Sequence, residues 1–142
     1  DEICAIKVRE ARDGALATAG CALIAPGDAH LKVKRRTLGA EARLDRGELV
    51  NGHRPSVDVL FHSVAEEYGD QAMAVIMTGM GSDGADGIGQ VKKAGGLTVA
   101  QDEASCMIYG MPKVAIKRGF VDQVVALNEL AAYLRSMVSV SE

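Results

Sequence analysis

The chain has 142 residues, 48% of them apolar, and a net charge of -3, which suits one hydrophobic core and gives no general attraction to nucleic acid. No apolar run approaches a membrane span and no signal peptide opens the chain, so a soluble, cytoplasmic protein is expected, with no membrane insertion and no nucleic-acid partner. Cys4, Cys21 and Cys106 are odd in number and scattered, a pattern of reduced, core-packed thiols rather than disulfides.

In chain order, ICAIKVREA alternates apolar and polar residues from Ile3, which predicts a half-exposed strand. CALIAPGDAHLKVKRR reads as a strand, a Pro26-Gly27-Asp28 turn and a second strand, with EARLDRG as a third. Pro55 opens SVDVLFHSVAEEYG, whose apolar residues at 57, 60, 61, 64 and 65 share one helical face and which Gly69 ends. A strand at Ala74, a helix near 84–94, the strand LTVAQ, a short helix after Pro112, the strand VDQVVAL and a helix from Asn128 complete the chain. That alternation predicts an α/β fold: a mainly parallel, doubly wound, Rossmann-like sheet flanked by helices, with an antiparallel hairpin near the N-terminal end. No linker or repeat divides it, so residues 1–142 are expected to form a single domain.

The segment AVIMTGMGSDGADGI, within 74–88, reads as a buried strand ending in a glycine-rich turn, with Asp83 where a helix would begin. Spacing alone makes Asp83 a cap for the helix from Gly84 onward. A carboxylate held on a rigid turn at the carboxyl end of a parallel strand also lies where open α/β sheets place their sites.

MTGMGSDGADG, followed by AGGLTVAQDEASCMIYGMPKVAI and preceded by HRPSVDVLFHSVA, closely resembles the catalytic domain of bacterial chemotaxis protein-glutamate methylesterases. That family uses a Ser-His-Asp triad, and its aspartate falls on Asp83, so the resemblance implies that this carboxylate orients an imidazole. It also implies that Met80 and Gly81 form the active-site loop, with the Met80 N–H near the oxyanion position. The family's serine, in a G-x-S-x-G-G turn, and its histidine fall on no residue here. The resemblance therefore implies most of a methylesterase catalytic domain, N-terminally truncated and inactive alone. The complete enzyme would demethylate glutamate methyl esters, and deamidate glutamines, on the cytoplasmic helices of methyl-accepting chemoreceptors, without a cofactor; many family members carry a receiver domain in cis. The alternative is a non-catalytic homologue or interaction module.

Several features admit other readings. Gly79-x-Gly81-x-x-Gly84 matches a dinucleotide fingerprint, with Asp102 after the next strand, but Asp83 would repel a pyrophosphate there. Ser82 lacks the first glycine of a nucleophile elbow and reads as a turn hydroxyl. His62 reads as a packing residue, His30 as a residue after a turn, and His53 as part of a loop in which Arg54 and Asp58 are spaced to pair. Metal-ligand spacing is missing, so no metal is expected. Lys32, Lys34, Arg35 and Arg36 read as a solvated face or a contact for an acidic partner. Met107, Tyr109 and Met111 suit either a methyl-ester site or core filling.

Overall fold

The computed structural model describes residues 3–139. Strands β1 (Lys7–Glu10), β2 (Leu16–Ala17) and β3 (Cys21–Ile24) open the chain, and β1 pairs in parallel with β3, Lys7 opposite Cys21. The predicted strand from Ile3 thus starts later, and it is mostly exposed, with Ile3 97% accessible. Cys4 is also exposed, so it is no core residue, while Cys21 and Cys106 are half-buried; all three are free.

Strands β4 (His30–Arg36) and β5 (Gly39–Asp45) form the antiparallel hairpin, with β2 on the far side of β5. The hairpin therefore turns at Thr37 and Leu38. Pro26-Gly27-Asp28 instead carries the chain from one sheet to another, because β3 pairs with β1 and β4 with β5. The basic residues of β4 are locally paired: Lys32 with Asp45, Lys34 with Glu67 and Arg36 with Glu41. Arg35 stacks on Tyr68 and donates to Gln71.

Helix α1 (Val57–Tyr68) packs Phe61, Val57, Leu60, Val64 and Ala65 on the core, as the spacing predicts, and Gly69, at φ 52, stops it. Leu60 also touches the smaller cluster of Ala11, Leu31 and Ala42, so α1 joins the antiparallel sheet to the rest. Its other face covers the edge of β4. Ser63 Oγ accepts the Val33 N–H at 3.0 Å, and Glu67 accepts the Arg35 N–H at 3.2 Å. One helical step of four residues and one strand step of two both advance roughly 6 Å, so the two rows stay in register.

Strand β6 (Met73–Ile76), helix α2 (Ala85–Lys93), strand β7 (Leu97–Gln101), helix α3 (Met111–Lys117), strand β8 (Gln123–Val125) and helix α4 (Leu127–Ser139) follow in the predicted order. The strands form a parallel sheet, β6-β7-β8, with Val75 opposite Val99 and Ala100 opposite Val124. Val99, Ala100, Ile76, Ile88 and Val91 are almost fully buried. Helices α1 and α2 meet closely at Gly87, where an added Cβ would lie 2.6 Å from the Phe61 Cβ. Gly87→Ala is expected to lower stability by about 1–3 kcal/mol through overpacking. Gly27→Ala, in open space, is expected to be neutral. Urea unfolding of the two variants compares them, and equal midpoints would mean that the helices separate freely to admit a methyl.

Candidate active site

The loop after β6 is fixed by a second loop, residues 102–110. Thr78 N–H donates to Gln101 Oε1 at 2.9 Å, and the Gln101 amide, fully buried, donates to Ser105 O at 2.8 Å. Gly79 N–H donates to Ile108 O at 3.0 Å, and Gly79 O accepts the N–H groups of Gly110 and Met111. The two backbones approach so closely that a Cβ on Gly110 would lie 2.7 Å from Gly79 O. Around this seam, Met80 and Met107 project outward, 74% and 94% accessible, whereas Met111 packs on the core. The Met80 N–H has no partner among the described residues.

Asp83 is 5% accessible, but its carboxylate does not cap the helix that follows it. The N-cap of α2 is Gly84, in the left-handed region at φ 95, with no side-chain cap. Asp83 instead reaches α1: Oδ2 accepts the Val57 N–H at 2.6 Å, and Oδ1 accepts the Ser56 hydroxyl at 2.7 Å, the Asn51 amide at 2.9 Å and the Asp58 N–H at 3.4 Å. Ser56, the N-cap residue of α1, makes no cap bond of its own; its hydroxyl donates to Asp83, which takes the N–H groups of Val57 and Asp58 in its place. The α2 terminus is served by Asp58, whose Oδ1 accepts the Gly87 N–H at 2.7 Å and whose Oδ2 accepts from Asn51 at 2.7 Å.

Burial pushes the Asp83 carboxyl upward, yet the hydrogen bonds from Asn51, Ser56, Val57 and Asp58 outweigh it and hold it below its ordinary value. It is therefore ionised throughout the neutral range.

The histidines stand apart from this carboxylate. His30 is 2% accessible; its Nδ1 accepts the Ser56 N–H at 3.1 Å, so Nε2 carries the proton and donates to Glu48 O at 2.8 Å. Both ring nitrogens are committed to the backbone. His53 is exposed in a tight turn, and His62 is exposed rather than packed, since it shares the solvent stripe of α1 with Glu66. Arg54 pairs not with Asp58 but with Asp28, at 2.5 Å, and donates to Gly47 O. Ser82 is exposed, and its carbonyl accepts the Ala85 N–H. Asn51, Ser56 and Asp58 are the partners that sequence reasoning missed. The signal was present in NGHRPSVD: an Asn-Gly turn, then a serine and an acid at a helix start.

The glycine loop offers poor terms to a dinucleotide, because the amino end of α2 already holds the Asp58 carboxylate. Asp102 is likewise occupied, accepting the Ser105 N–H and hydroxyl. A cavity of about 710 Å³ lies among Ala72, Met73, Gly96, Leu97 and Asp122, at the amino ends of the parallel strands. Open α/β sheets place their sites at the opposite edge, where Asp83 stands.

This is an α/β domain with a candidate site at the carboxyl edge of its parallel sheet. A sequence profile of CheB methylesterase matches residues 1–134. The chain is 60% identical over 129 residues to the protein-glutamate methylesterase/protein-glutamine glutaminase 2 of Koribacter versatilis, covering 91% of this chain and 36% of that protein. It is 46% identical over 142 residues to the protein-glutamate methylesterase/protein-glutamine glutaminase of Escherichia coli O157:H7, covering 41% of that protein. Its structure is similar to that of the Thermotoga maritima CheB methylesterase catalytic domain, with a TM-score of 0.87, 38% identity, and coverage of 91% of this chain and 68% of that one. The chain belongs to the CheB methylesterase family, and it spans less than half the length of these two curated relatives.

Because the folded Asp83 carboxyl is held below its ordinary value of 3.8, its stabilisation is complete above that value and is lost as pH falls through the lower folded one. Asp83→Asn is expected to be about 1.5–3 kcal/mol less stable than the parent at pH 7, the scale of hydrogen bonds to a charged group. The gap should narrow on acidification below about pH 4. Urea unfolding across that range tests this, and a gap that is constant with pH would show that the charge on Asp83 is not what α1 depends on.

Proposed function

We propose that this chain forms most of the catalytic domain of a cytoplasmic protein-glutamate methylesterase, with Asp83 as the orienting carboxylate of a Ser-His-Asp triad. The observation that carries this reading is an ionised, buried carboxylate on a loop fixed at the carboxyl edge of the sheet, in a chain of the CheB methylesterase family. Asp83 Oδ2 accepts a single bond, from Val57, and a carboxylate oxygen accepts about two. One lone pair is thus left for an imidazole N–H.

The nucleophilic serine and the imidazole come from outside residues 1–142. The serine oxygen attacks the ester carbonyl of a methylated glutamate while its proton passes to the imidazole. Asp83 stabilises the imidazolium without taking the proton. The imidazolium then protonates the departing methoxide oxygen, which leaves as methanol, and water hydrolyses the acyl-serine by the same steps in reverse, releasing glutamate. The Met80 N–H is the candidate donor to the oxyanion. A glutamine substrate would follow the same course with ammonia leaving. The substrates in this reading are the cytoplasmic helices of chemoreceptors, and a receiver domain in cis is the regulatory partner, as the resemblance of the chain's motifs to the chemotaxis methylesterases implies.

Methanol release from methylated receptor tests this reading. Residues 1–142 alone are expected to show no turnover above background. In the full-length protein, with the serine and histidine present, Asp83→Asn should lower kcat by roughly three to four powers of ten, and Ser82→Ala should cost little. Turnover by the isolated chain that vanishes in Ser82→Ala would make Ser82 the nucleophile and end the triad assignment. An inert full-length protein would identify a non-catalytic homologue.

A further inference from the structure

The Asn51 amide nitrogen stands between two carboxylates, 2.7 Å from Asp58 Oδ2 and 2.9 Å from Asp83 Oδ1. An amide nitrogen has two hydrogens, and here one goes to each acid. The flipped amide would aim an oxygen at both anions, so its orientation is fixed by chemistry. The backbone fixes the other end. Asn51 and Gly52 have φ of 55° and 76°, and Val50 and His53 exchange two hydrogen bonds at 3.0 and 2.9 Å, the geometry of a type I′ turn in which Asn-Gly is favoured.

Two carboxylates so near each other repel, and each is also held by the helix start on the other's side: Asp83 by Val57 N–H and Asp58 by Gly87 N–H. Asn51 is the only side chain among the described residues that donates to both. Together with Ser56 it occupies Oδ1 of Asp83, which leaves Oδ2 as the oxygen with spare capacity.

We propose that Asn51 is a positioning residue for Asp83, fixing which carboxylate oxygen is offered to an imidazole by bridging the Asp83 and Asp58 carboxylates. This rests on the triad reading above. The titratable groups around Asp83 are Asp58 on α1, His30 reached through Ser56, and Asp86 on α2, which is paired with Arg118.

Two substitutions separate the donor role from the turn. Asn51→Asp has nearly the same shape and tolerates positive φ, but at neutral pH offers acceptors in place of donors. Asn51→Gly keeps the turn and deletes the amide. In the full-length protein both are expected to lower kcat roughly 10- to 100-fold with KM changed by less than about twofold, the pattern of a misplaced orienting group. The Asn51→Asp deficit, taken against the parent at each pH, should shrink between about pH 8 and pH 5.5, as the added carboxyl takes up a proton and donates again. The Asn51→Gly deficit should stay level. In the 142-residue chain, carbon-13 NMR of the Asp83 carboxyl should show its titration midpoint rising in both variants.

Unchanged kcat in both variants, an Asn51→Asp deficit that does not vary with pH, or an unmoved Asp83 midpoint overturns the proposal. Full activity in Asp83→Asn would instead overturn the triad reading. The carboxyl titration needs no turnover and still decides whether Asn51 controls Asp83.

Discussion

Helices α1 and α2 hold each other's amino ends. Asp83, just before α2, accepts N–H groups from the first turn of α1, and Asp58, in that first turn, accepts the Gly87 N–H of α2. The first N–H groups of any helix lack intrahelical partners, and the dipole favours a negative group beside them. Most helices meet this need locally. Here the two needs are met reciprocally, so neither cap can form unless the helices are docked in one register. The close approach at Gly87 follows from the same docking. Everything that α1 touches, including the edge of β4 that it covers, is thereby placed relative to the parallel sheet.

This arrangement, a cap of α1 rather than of the α2 that the spacing predicts, is compatible with the orienting role proposed for Asp83. The hydrogen bonds from Asn51, Ser56, Val57 and Asp58 immobilise the side chain and lower its proton affinity, and three of them fall on one oxygen. An orienting group requires fixed direction, permanent charge and spare acceptor capacity. The first two follow from these hydrogen bonds, the side chains of Asn51 and Ser56 foremost; the third is left over at Oδ2. On the proposed triad role, a substitution at Asp83 changes stability and chemistry together, and only a variant that keeps the cap can separate them.

Much of the fold was legible from local pattern. The α1 face follows from apolar spacing, the parallel strands from short apolar runs between helices, and the two hairpin strands from the segments HLKVKRR and EARLDRG. Pairing partners were not legible. The Pro26-Gly27-Asp28 turn looks like a hairpin turn, but its flanking strands enter different sheets, and Asp28, at φ 64, is held by Arg54 from a distant segment. Asp83 was legible as a polar group at a helix start, while the identity of the helix that it caps was not, since that depends on tertiary docking. Asn51 had a clear turn signature, yet nothing local reveals that its side chain bridges two acids 7 and 32 residues away.

The glycine pattern shows how little spacing alone decides. Gly79-x-Gly81-x-x-Gly84 runs from a strand into a helix, as a dinucleotide loop would. In such loops the helix start is left open so that a pyrophosphate can supply the negative charge. In this chain Gly79 and Gly110 serve the contact between two loops, Gly84 supplies the left-handed step into α2, and Asp58 supplies the charge. The helix terminus attracts an anion in either case. Whether that anion is a ligand or a side chain depends on what a neighbouring helix presents, and α1 presents a carboxylate.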